Sequence, residues 1–123
     1  MSKILDVKRE VGLLSTGAKK TWQTTLDLIN KMAEVQNWTS SQKQSLIQRK
    51  LAAIRYADLK SDNEYNKKSS DELASKKIKA NEKEMERLDS IYKSLATDVQ
   101  EVEAILDENI SKIANQKKNN LSK

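Results

Sequence analysis

The sequence predicts an all-α protein: an elongated antiparallel helical hairpin or three-helix coiled-coil bundle, built as a single domain over residues 1–123. Three observations carry that prediction. With no Pro and only 2 Gly, the chain lacks the turn residues that a fold of many short strands consumes. Its mix of Lys, Glu, Ala, Leu, Gln and Ser favours long helices. Apolar residues recur three and four apart over most of the length, which is the helical period.

The first helix is expected over residues 2–37. Ile4, Val7, Val11, Leu14, Ala18, Trp22, Leu26, Ile29 and Met32 form one stripe. Gly12 and Gly17 each weaken a helix by roughly 1 kcal/mol relative to Ala, so a kink or break is expected near Ser15. The run Asn37-Trp38-Thr39-Ser40-Ser41 then interrupts the pattern, and its hydroxyls suit an N-cap.

A second helix follows over residues 41–60, with Leu46, Ile47, Leu51, Ala53, Ile54, Ala57 and Leu59 on a broad apolar face. Ser61-Asp62-Asn63 and the polar stretch to Ser70 either turn the chain or continue one long helix. Ser69 and Glu72 have capping-box spacing.

The third helix, residues 70–116, is the most regular. Met85, Leu88, Tyr92, Leu95, Val99, Val102 and Leu106 alternate three and four apart, and Ile78 and Ile113 extend the frame. Such a helix is about 70 Å long. Asn81 and Asn109 occupy seam positions where a buried amide sets register, or where the seam is solvated. Ile91, Ile105 and Ile110 widen the seam, so three or more helices are expected to meet there. The tail 117–123 loses the periodicity and is expected to fray.

Composition also limits the chemistry. Without Cys or His there is no thiolate nucleophile, no imidazole proton shuttle and no usual zinc ligand. Two Gly cannot build a phosphate-binding loop. The chain is therefore read as no enzyme, with no catalytic residue, no metal ligand and no cofactor. No apolar run approaches the ~20 residues a membrane span needs, so no membrane insertion is expected. The N-terminus lacks the apolar core of a cleavable signal, which predicts a cytoplasmic protein or export by a route that reads no such signal.

The net charge is +5, and residues 39–68 hold seven basic against three acidic groups. Lys43, Arg49, Lys50 and Arg55 are the candidates there for contact with phosphate or an acidic partner. The plainer reading is a solvated helix face. The candidate partner-binding residues are Trp22, Trp38, Leu88, Tyr92, Leu95, Val99, Val102 and Leu106. Trp22 also reads as a core residue. Trp38, in the interruption, either plugs the bundle end or anchors a partner.

A helix of about 35 residues, a turn carrying Trp, and a second helix resemble the WXG-type proteins of bacterial type VII secretion. They also resemble the small helical proteins that accompany LXG-type toxins. The matching residues are Trp38-Thr39-Ser40, where the family has Trp-x-Gly, and the likeness covers about residues 1–60. The family's C-terminal Tyr-x-x-x-Asp/Glu signal is not present: Tyr56, Tyr65 and Tyr92 precede Lys60, Ser69 and Ala96. The resemblance implies a non-enzymatic adaptor or chaperone that pairs with a secreted toxin's N-terminal helices. The partner is thus expected to be another helical protein or a second copy as a homodimer. The alternative is a small basic accessory protein of a phage or mobile element that binds nucleic acid.

Overall fold

Five helices occupy the described residues: α1 Val7–Gly12, α2 Thr16–Gln36, α3 Ser40–Asn66, α4 Glu72–Ser94 and α5 Ala96–Leu121. This computed structural model describes residues 5–121, with side chains through 115. The all-α bundle is as expected, the first helix breaks near Ser15 as its glycines suggest, and the third is divided where no break was expected.

The first division falls where Gly12, Ser15 and Gly17 weaken the chain. Ser15 caps α2, its Oγ accepting from the Ala18 N–H. The same hydroxyl donates to Asp58 at 2.7 Å, and the Ser15 N–H donates to the other oxygen of that carboxylate at 2.9 Å. Further along α3, the Gln48 amide accepts from Leu5 N–H and donates to Leu5 C=O. Residues 5–15 are thereby laid parallel to α3. Residues 2–4 of the expected first helix lie outside the described residues.

Asn37 ends α2 in the left-handed region at φ 56°, a conformation Asn tolerates through local hydrogen bonding. Thr39 then caps α3 in a reciprocal box with Gln42. A three-residue connection of this kind sets α2 antiparallel to α3.

The polar triplet 61–63 does not interrupt α3, which runs on to Asn66 rather than stopping near 60. Its side chains find partners across the helix pair. The Asn81 amide of α4 donates to Asp62 Oδ2 at 2.8 Å and to Asn63 Oδ1 at 2.9 Å. Satisfied in this way, they no longer compete with the helix backbone. The turn comes instead at 67–71, and the cap of α4 is Asp71 rather than Ser69. Ser69 supports that cap by accepting from the Asp71 N–H.

The larger correction concerns residues 70–116, which are not one rod. Helix α4 stops at Ser94 and α5 begins at Ala96, with Leu95 (φ −93°, ψ −6°) as the corner. Arg49 reports the bend directly, because it contacts Tyr92 before the corner and Glu103 after it. In an unbroken helix those two residues would lie about 16 Å apart along the axis, beyond one guanidinium's span. The heptad spacing runs through the corner unchanged because both halves face the same core. At the far end, α5 continues to Leu121; residues 122–123 of the expected tail lie outside the described residues.

Helix α3 is the axle, touching each of the other four helices. Ile29, Leu46, Leu51, Leu88, Val99 and Leu106 are fully buried around it, each worth about 1.5–3 kcal/mol of transfer free energy.

Candidate partner-binding surface

The apolar residues proposed for partner contact divide sharply. Trp22, Leu88, Val99, Val102 and Leu106 are buried in the chain's own core. Tyr92, Leu95 and Trp38 are half-buried and packed against that core. The seam expected to await a partner is thus covered from within, because the bend at Leu95 brings both halves of it onto the bundle. Trp38 takes the plug position, packing back from the α2–α3 connection.

The basic stripe is also occupied. Arg49 Nε meets both oxygens of Glu103 at 3.0 and 2.8 Å, its Nη1 donates to the Tyr92 carbonyl, and its guanidinium stacks 3.5 Å from the Tyr92 ring centre. Carbonyls in the last turn of a helix have no partner within it, so Arg49 supplies one at the corner. The Ser94 hydroxyl caps the neighbouring Ile91 carbonyl at 2.8 Å. Lys50 pairs with Asp107 at 2.7 Å and Glu103 at 3.5 Å. Arg55 is buried against Glu10 at 3.3 Å. Lys43 is half-buried and joins none of these pairs. Of the four cations proposed to meet phosphate, three hold helices together.

Glu10, which the periodicity gave no reason to single out, is only 2% exposed. Arg55 of α3 and Arg87 of α4 both bond its Oε1, at 3.3 and 3.2 Å, so one carboxylate ties three helices. Such a charge is tolerable inside a protein only when paired in this way. Arg87 also bonds Glu84 at 2.9 and 3.0 Å. That bond, with the Arg87 and Arg55 charges behind it, holds the Glu84 carboxyl below its ordinary value of 4.5 against an opposing contribution from burial. The same hydrogen bond raises Arg87. Among the described residues, no group of three or more potential metal-ligating side chains comes together.

What remains open is the far half of α5. Ile113 lies seven residues beyond Leu106, two turns on and only about 20° around, so it shares the core-facing azimuth. Yet Leu106 is 0% exposed, while Ile110 and Ile113 are 39% and 42% exposed. Every residue from Ile110 to Asn115 is exposed. The helix has outrun the bundle, carrying its apolar stripe into solvent. Beside Ile110, the α2 flank of Lys20, Thr21, Thr24, Thr25 and Leu28 forms an open cleft of about 370 Å³. The periodicity places Ile113 on the seam and Ile110 beside it but does not show where the cover ends.

No helix among the described residues is long and apolar enough to cross a membrane. No protein-family model, no curated protein and no solved structure matches this chain.

Proposed function

We propose that this protein is a non-enzymatic helical pairing module, an adaptor or chaperone that joins another helical chain through the uncovered end of α5. The observation that carries this reading is the continuous stripe from Val99 to Ile113, sealed up to Leu106 and open at Ile110 and Ile113. An amphipathic helix with an uncovered apolar face is the element that groove and bundle partners dock against. The earlier candidates Leu88, Val99, Val102 and Leu106 act on this reading as the anchorage of α5 rather than as the contact itself.

Delivery of a toxin's N-terminal helices to a type VII secretion apparatus is the specific role suggested by the likeness at Trp38-Thr39-Ser40. The connection Asn37–Thr39, with Trp between two antiparallel helices, is in keeping with it. The nucleic-acid alternative draws on Arg49, Lys50 and Arg55, whose charges are already paired.

The test is co-purification of the tagged full chain from its native host, comparing wild type with Ile110→Asp/Ile113→Asp. The reading predicts a helical protein retained at both low and high salt by the wild type and lost from the double variant. Retention of the same partner by the double variant overturns it. Binding to duplex DNA that fades steeply between 50 and 200 mM salt, on the order expected for phosphate contacts, favours the alternative.

A further inference from the structure

We propose that the tip of the α3–α4 hairpin docks on the surface of an anionic phospholipid bilayer. Tyr65 and Leu73 sit among the headgroups, and Lys68, Lys76 and Lys77 meet the lipid's anionic oxygens. The contact is peripheral, involves no spanning helix and does not depend on the pairing proposed for α5.

Polarity at this tip is reversed. Between residues 61 and 79 the buried side chains are Asn63, Asn66 and Ala74, whereas the large apolar Tyr65 and Leu73 are 75% and 57% exposed. Amides hold the interior: Asn81 donates to Asp62 and Asn63, and Asn66 donates to Asp62 at 3.3 Å. Beyond Asp58, the described side-chain hydrogen bonds from α3 to another helix all go to α4, so the two helices meet there as a pair. Every residue from Lys67 to Leu73 is exposed. Tyr65 and Leu73 thus add little to the packing of the hairpin, and two large apolar side chains presented together at a turn suit an external surface.

The neighbouring charges name that surface. Tyr65 and Leu73 line one open cleft of about 290 Å³ together with Lys68 and Lys77. Lys68 follows Tyr65 by three positions and Lys77 follows Leu73 by four, with Lys76 beside it. Among the described ion pairs the tip uses only Lys67, with Glu64 at 3.4 Å, and leaves Lys68, Lys76 and Lys77 unmatched. Of the other carboxylates, Asp71 accepts from the Leu73 N–H as the cap of α4, and Glu72 lies in its first turn. Residues 64–79 hold five lysines against three carboxylates. An aromatic ring and a leucine flanked by lysine stems enter a headgroup layer with their apolar bodies inward and the ammonium groups at the anionic oxygens. A bilayer also needs no groove shaped to a narrow turn, as a helical partner would. Duplex DNA would use the lysines and leave Leu73 idle.

The test is co-sedimentation of the full chain with phosphatidylcholine vesicles, with and without about 30% phosphatidylserine. The partition constant should be at least tenfold higher with phosphatidylserine and should fall as salt rises from about 50 to about 500 mM. Tyr65→Ser/Leu73→Ser should lose at least tenfold with unchanged far-UV circular dichroism. Lys68→Gln/Lys77→Gln should lose roughly twentyfold, at about fivefold per lysine. Lys19→Gln/Lys31→Gln removes the same net charge elsewhere and should change binding less than twofold. Ile110→Asp/Ile113→Asp should bind vesicles as the wild type does. No binding to phosphatidylserine vesicles at low salt overturns the proposal. So do equal losses from the two lysine pairs, which would mean that net charge alone acts, or undiminished binding by Tyr65→Ser/Leu73→Ser. Vesicle binding lost through Ile110 and Ile113 but kept by the tip variants also overturns it. A chain that ignores vesicles yet binds duplex DNA or an acidic helical peptide through Lys68 and Lys77 overturns the bilayer assignment. None of these outcomes bears on whether α5 joins a helical partner.

Discussion

Removing the guanidinium of Arg49 should loosen the corner on which the placement of α5 depends. Its contacts are with the Glu103 carboxylate, the Tyr92 carbonyl and the Tyr92 ring. The Arg49 and Glu103 side chains are 11% and 14% exposed, so the pair is largely shielded from water. Hydrogen bonds to charged groups of this kind contribute about 1.5–3 kcal/mol. Lys50 still reaches Glu103 at 3.5 Å and softens the loss. Stacking on Tyr92 and the carbonyl contact contribute roughly 1 kcal/mol more. Arg49→Ala should therefore cost about 3 kcal/mol, a large fraction of the 5–15 kcal/mol that domains typically have. For a chain of this size that lowers Tm by about 10 °C. Arg49→Lys should recover less than half of the loss, since an ammonium neither forks onto a carboxylate nor stacks as a guanidinium does. Urea unfolding of wild type, Arg49→Ala, Arg49→Lys and the exposed control Lys60→Ala measures these differences. An Arg49→Ala midpoint as close to wild type as that of Lys60→Ala would refute the corner-pin account.

Other outcomes follow from the same packing and ion pairs. Leu106→Ala should cost about 3–4 kcal/mol in urea unfolding, as fully buried leucines do, whereas Ile113→Ala should stay within about 0.5 kcal/mol; equal losses would mean that α5 is covered to its end. Glu84, held below 4.5 chiefly by its bond to Arg87, contributes stability that is present above its ordinary pKa and lost as pH falls through the lowered folded value. The stability gap between wild type and Arg87→Gln should accordingly be widest near neutrality and narrow below about pH 4.5, and a gap that grows on acidification contradicts the pairing. In a double-mutant cycle, Asn63→Ala and Asn81→Ala should couple by about 1 kcal/mol; strict additivity would show that their 2.9 Å contact does not set the α3–α4 register.

Much of the helical layout was legible because periodicity and caps are local. The break near Ser15 follows from the two glycines that bracket it, and the Trp38 interruption from the hydroxyl run Thr39-Ser40-Ser41; that Thr39 is the cap, boxed with Gln42, is seen only in the structure. Leu95 was not legible. A corner that uses a single residue leaves the three-and-four spacing intact, and the helical-looking Ser94-Leu95-Ala96 carries neither Gly nor Pro. Residues 61–63 left two readings open for the opposite reason. Asp62 and Asn63 could turn the chain or continue a helix, and what decides is Asn81, a partner eighteen or more positions away that claims their side chains.

The candidate site suffered most, because covering is a tertiary property. The repeat that places Val99, Val102, Leu106 and Ile113 on one azimuth cannot tell a buried position from an uncovered one. Nor can a run of cations declare that Arg49, Lys50 and Arg55 face Glu103, Asp107 and Glu10, tens of residues distant. Glu10 was invisible on the same grounds, since a carboxylate in a short amphipathic helix ordinarily faces water.

The division of α5 is most directly measured by amide hydrogen exchange, read by mass spectrometry. Amides from Val99 to Leu106 should exchange slowly and those from Ile110 to Asn115 quickly. Slow exchange across the whole of α5, or fast exchange already at Val99 and Val102, would contradict the division on which the proposed pairing with another helical chain rests.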